Sequence, residues 1–145
     1  MPRYFTLREA RAALPAVGRD VRDAVHARSR YKEADGALQE LGQRILMRGG
    51  IVVDTAAAER WKSQRDSGAQ TLKTTLGRIE EMGVVVKDLD VGLIDFPTLY
   101  RGQEVYLCWR MDEADIDFWH GTTEGFAGRK LIDSEFLSHH SGDGS

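Results

Sequence analysis

Residues 83–110 read GVVVKDLDVGLIDFPTLYRGQEVYLCWR, and the fold turns on how this stretch is read. Before Gly83, apolar residues recur at every third or fourth position, the helical interval. After Gly83 the interval becomes two. In Glu104–Arg110, Val105, Leu107 and Trp109 fall on one face of a strand, and Glu104, Tyr106, Cys108 and Arg110 on the other. Val84–Val86 reads as a second strand. Leu93, Ile94 and Phe96 lead into Pro97, which has no N–H to give a ladder and is expected at a strand end or sheet edge. Gly102 marks a turn. Asp115–Trp119 is expected to add a further strand.

Upstream, Thr6-Leu7-Arg8-Glu9 is a capping box, with a hydroxyl and a carboxylate able to exchange bonds with each other's backbone N–H. The helix it opens carries Leu14, Val17, Val21, Ala24 and Val25, then Tyr31, Leu38, Leu41 and Ile45. Pro15 lies inside it and predicts a kink or restart, Gly36 and Gly42 weaken its middle, and Gly49-Gly50 ends it. Ile51-Val52-Val53 reads as a strand fragment or turn anchor. Asp54 or Thr55 caps a second helix whose stripe runs Trp61, Gly68, Leu72, Leu76, Ile79 and Met82, with Gly83 as its stop. Two such helices, each with one apolar face, should pack antiparallel. The expected fold class is therefore α+β. A long antiparallel helical hairpin (6–82) is followed by a small antiparallel β-sheet (83–132), in one domain spanning 1–133 with a disordered polar tail at 134–145.

With 145 residues, 41% of them hydrophobic, the chain can bury a core as a single domain. Its net charge of −3 argues against a nucleic-acid partner, which needs a basic footprint. No apolar run is long enough to span a membrane, and MPRYFTLREA has no signal-peptide core. The single cysteine suits a reducing cytoplasm. The charge is unevenly spread. Residues 88–124 carry nine acids and two arginines, while residues 1–48 carry ten bases and six acids. That split suits a solvated helix face, or a basic helix meeting the acidic segment of a second copy.

The acidic segment contains the candidate site. His120 follows Trp119 and stands near Glu113 and Glu124 in sequence, and Asp95 belongs to a neighbouring strand. Imidazole with carboxylates is a ligand set for a divalent metal such as Zn, Mn or Fe, with His120, Asp95, Glu113 and Glu124 as the ligands. No His-x-x-x-His or Cys-x-x-Cys spacing supports it. The plainer reading is a histidine packed near Trp119 and bonded to one carboxylate, and the residue statistics favour it. Cys108 reads as a packed, inert thiol whose acidic surroundings raise its pKa. Asp88 and Asp90 read as turn caps rather than a calcium loop. Asp95, set among apolar groups, should want a partner, with Arg110 or Arg129 in view. Arg110 and Arg129 are also the candidates for orienting an anionic ligand, although pairing with an acid is the commoner task of an arginine beside Gly125-Phe126-Ala127-Gly128.

Several blocks together resemble a known family. They are Tyr4-Phe5-Thr6-Leu7-Arg8-Glu9-Ala10 with Leu14-Pro15, Gly83–Asp90, Gly92–Pro97, Val105–Arg110, Glu113, Phe118-Trp119-His120 and Gly125–Arg129. Over nearly all of residues 4–132 they are similar to the uncharacterised prokaryotic family DUF2203. Asp112 stands where that pattern has a glycine. The resemblance implies a small soluble protein without established activity, and it supplies no catalytic residues.

Three roles are expected from these readings. The first is a small cytoplasmic protein that self-associates as a homodimer through its hairpin. The second is a divalent-metal-binding protein or metal-dependent hydrolase built on His120 and its acids. The third is a helical adaptor for a protein partner, with an apolar patch left exposed.

Overall fold

The computed structural model describes residues 3–48 and 55–141. The chain folds as α1 (Leu7–Arg48), α2 (Thr55–Glu81), β1 (Val85–Asp88), β2 (Leu93–Tyr100), β3 (Gln103–Arg110), β4 (Phe118–Gly121), β5 (Lys130–Leu131), α3 (Ser134–His139) and β6 (His140–Ser141), with a 3-10 turn at Phe126–Gly128. This is the α+β arrangement expected, a long helical pair followed by an antiparallel sheet. The Ile51-Val52-Val53 segment lies outside the described residues.

The capping box forms as read. Thr6 N–H donates to Glu9 Oε1 at 2.9 Å, and Glu9 N–H to Thr6 Oγ1 at 3.1 Å. From there α1 runs 42 residues without a break at Pro15. The expected kink or restart is absent as an interruption of the helix. Pro15 sits on the exposed side, where the Arg11 carbonyl it leaves without a helical donor can be hydrated. At the end of α2, Gly83 N–H bonds Glu80 O and Val84 N–H bonds Ile79 O, while Gly83 takes φ +88°. This Schellman closure brings Ile79 and Val84 into the core together.

The sheet has six strands, ordered β1-β2-β3-β4-β5, with β6 pairing on the far part of β2's outer edge. β2 and β3 are joined by a two-residue turn, Arg101-Gly102, with φ of 52° and 78°. Positive φ at both positions is what matches the turn to the twist of the strands. Pro97 does not end β2 but stands in its middle. It occupies the gap between β1, which pairs as far as Asp95, and β6, which begins opposite Leu99. Its carbonyl accepts the Phe5 N–H at 2.7 Å on that side, so the missing N–H interrupts no ladder. The last strand before the loop is Phe118–Gly121 rather than Asp115–Trp119, because Cys108 and Tyr106 of β3 pair with Phe118 and His120.

One face of the sheet, with Ile94, Phe96, Leu107 and Trp109, packs against Phe5 and the proximal turns of α1. Residues 134–141 are not part of the disordered tail expected, and 142–145 lie outside the described residues. Asp133 caps α3, Phe136 is buried, His140 Nε2 accepts the Leu7 N–H at 3.2 Å, and β6 pairs with β2. Burying an aromatic ring and closing the helix-start N–H fixes a stretch whose composition alone looks polar. Among the described residues no helix is long and apolar enough to cross a membrane.

Candidate functional site

The other face of the sheet is where the chemistry gathers. Asp95 lies opposite Cys108, Tyr106 opposite His120, and Cys108 opposite Phe118, so strand pairing puts all of them on one face. Asp95 (1% exposed), Cys108 (0%) and His120 (4%) are buried there, and their ligand-type atoms all lie within 4.8 Å of one another. The loop after β4 crosses this face. It holds the Arg129 guanidinium 3.9 Å from the Phe118 ring and 4.1 Å from the Phe126 ring. Lys87 lies over Tyr106, whose ring in turn neighbours His120.

His120 Nδ1 is 2.8 Å from Gly121 O, and Nε2 is 3.0 Å from Asp95 Oδ1. A carbonyl only accepts, so Nδ1 carries a proton and donates it to Gly121 O. Nε2 and Asp95 Oδ1 then share one proton between them. Burial pushes the Asp95 carboxyl above its ordinary value, opposed by its bond to His120. Asp95 Oδ2 is buried and has no hydrogen-bond partner among the described residues. The Cys108 thiol is pushed up to about 11, first by burial and then by the Asp95 charge. Both imidazole nitrogens are engaged and the thiol is protonated at neutral pH. His120 thus has no free nitrogen to activate Cys108, and this geometry is not that of a cysteine nucleophile with its base.

Of the four expected metal ligands, the structure brings together Asp95 and His120 only. Glu113 accepts the Arg110 N–H at 2.8 Å and grips Arg129 through both carboxylate oxygens, at 3.1 and 2.7 Å. Glu124 accepts the Gly121 N–H at 2.8 Å and pairs with Lys130 at 2.6 Å. Those two contacts hold the Glu124 carboxyl below its ordinary value. Each glutamate closes the turn nearest to it in sequence, a local donor that a carboxylate reaches before any distant site. The two candidate anion-orienting arginines are both engaged by acids, Arg129 by Glu113 and Arg110 by Asp112 at 2.5 Å. Asp95's partner is accordingly His120 and neither arginine. The His120 ring lies near Tyr106, 5.4 Å between centroids, because Trp119 points to the opposite face. Asp88 behaves as a turn cap, accepting the Asp90 N–H at 2.8 Å.

Cys108 is the member of the cluster that the sequence reading left out. Alternation puts it opposite Trp109 in direction, but only the β2–β3 register shows that it faces Asp95.

The chain matches the family model described as an uncharacterized conserved protein, DUF2203, over residues 3–132. No curated protein and no solved structure matches it. With nine-tenths of its length inside that match, the chain belongs to the DUF2203 family.

Proposed function

We propose that the protein acts as a self-associating cytoplasmic scaffold, two copies joining through the far halves of their hairpins. The observation that carries this is a change in burial along the hairpin. In α1 the last buried residue is Ala34, and in α2 the first is Gly68. Beyond those points Leu38, Leu41 and Trp61 are half-buried, Ile45 is 37% exposed, and Leu46 and Met47 are 84% and 86% exposed. Two helices without a third layer cannot cover their shared seam. Two hairpins laid together as four helices can, and a twofold axis is the simplest way to do it.

The charge split does not support the pairing. Arg11 meets Asp115 and Asp117, and Arg28 and Lys32 meet Asp90, all within one chain. What favours a second copy is neutrality, since residues 31–48 hold three bases and three acids and two such surfaces do not repel. A lone thiol buried at Cys108 suits a reducing compartment.

Sedimentation of the full chain at tens of micromolar tests the reading. The expected species is a dimer, converted to a folded monomer by the double substitution Leu46→Glu and Met47→Lys. A wild-type monomer at that concentration overturns it.

A further inference from the structure

We infer that Asp95, Cys108 and His120 form a binding site for one borderline transition-metal ion of the zinc class. The three donors come from three adjacent strands, β2, β3 and β4, so their spacing is set by the hydrogen-bonded ladder rather than by loops. Tetrahedral zinc with nitrogen, oxygen and sulfur ligands places donor atoms about 3.3–3.6 Å apart. The cluster already holds its donors within 4.8 Å, with Nε2 and Oδ1 at 3.0 Å. Small shifts of side chains, without any movement of strands, would complete the coordination.

Two further observations point to an ion. Asp95 Oδ2 is buried without a conventional hydrogen bond among the described residues, its carboxylate being met beside His120 by the weak Cys108 thiol, a condition that folded proteins rarely leave unanswered. A cation between the three side chains answers it. The second is the His120 Nδ1–H bond to Gly121 O, which fixes the tautomer and turns Nε2 toward the acid. Ligating histidines are oriented in this way by a carbonyl or carboxylate behind the ring.

Charge agrees with this assignment. A thiolate and a carboxylate neutralise a divalent ion, and the adjacent Arg129 is already balanced by Glu113. The thiol proton and the proton shared by Asp95 and His120 leave to solvent as the ion enters. A sulfur donor selects against calcium and magnesium, which take oxygen, and favours zinc or cobalt(II). Three protein donors leave a fourth position for water.

Cobalt(II) titration of the full chain tests the site, on protein stripped with chelator and on protein refolded with cobalt present. Cys108 is the sole cysteine, so a thiolate-to-cobalt charge-transfer band can arise only from it. The expected result is one cobalt per chain with that band, displaced by zinc, and binding weaker by roughly tenfold or more in Cys108→Ser and His120→Gln. The wild-type spectrum stands even if a variant misfolds. Absence of the band in both native and refolded protein overturns the site. So does binding that Cys108→Ser leaves unchanged, which would place the ion on surface groups such as His139.

Discussion

At the residue scale, the decisive pairing is between side chains far apart in sequence. Asp95 and His120 are both buried and share a proton 3.0 Å across the sheet, with the Cys108 thiol beside them. Burial of that thiol has a measurable consequence in alkali. Its folded-state pKa is raised from 9.0 to about 11. The folded state therefore favours the protonated thiol, and the associated stability is complete below pH 9 and lost as pH rises through about 11. For the metal-free chain, urea denaturation stepped through that window should show an unfolding free energy falling by up to about 2–3 kcal/mol. A Cys108→Ala chain should lack this component of the slope. Parallel curves for the two proteins would show that the thiol ionises as freely folded as unfolded. The acids read as ligands from their nearness to His120, Glu113 and Glu124, were legible as charged but not as placed. Each is taken by a backbone N–H and a base within a few residues or across one loop.

At the element scale, the helical pair is held by a close approach. A Cβ on Gly68 would stand 2.9 Å from Ala27 O and 3.3 Å from Tyr31 N, both backbone atoms that cannot swing aside. Replacing glycine by alanine inside a helix gains up to about 1 kcal/mol, whereas overpacking a tight contact costs roughly 1–3 kcal/mol. Gly68→Ala should therefore lower the urea midpoint. Gly77→Ala, whose Cβ meets nothing within 4 Å, should raise it. If Gly68→Ala proved the more stabilising of the two, the contact would not be a true constraint. The apolar stripe of α2 named Gly68 and Ile79 correctly as buried but passed over Thr75, which is buried with them. Its hydroxyl is satisfied by Thr71 O and Leu72 O of its own helix, and this lets a polar residue sit in the seam. Pro15 and Pro97 were likewise read by intrinsic preference, and in both cases the side of the element on which they lie made them tolerable.

At the scale of the whole molecule, a helix of 42 residues is about 63 Å long, and the sheet covers only its first part. The near half is locked between sheet and α2, while the far half has α2 alone. Amide hydrogen exchange should show this division. In the Leu46→Glu, Met47→Lys chain, residues 35–48 and 55–67 should exchange well before β2 and β3. If the wild type pairs as proposed, the same residues should be protected in it, and equal exchange in both proteins would remove the far hairpin from the interface. The sequence by itself determined the two long helices and the antiparallel strands that follow them, the helix start at Thr6, the helix stop at Gly83 and the turn at Gly102. Those features depend on neighbours within a few residues, where periodicity and capping act directly. Tertiary structure alone decided that Asp95, Cys108 and His120 meet, that Pro97 lies mid-strand, and that residues 134–141 dock on the core. Strand register and the docking of distant segments are set by the sum of many weak contacts across the chain, and no local pattern encodes that sum.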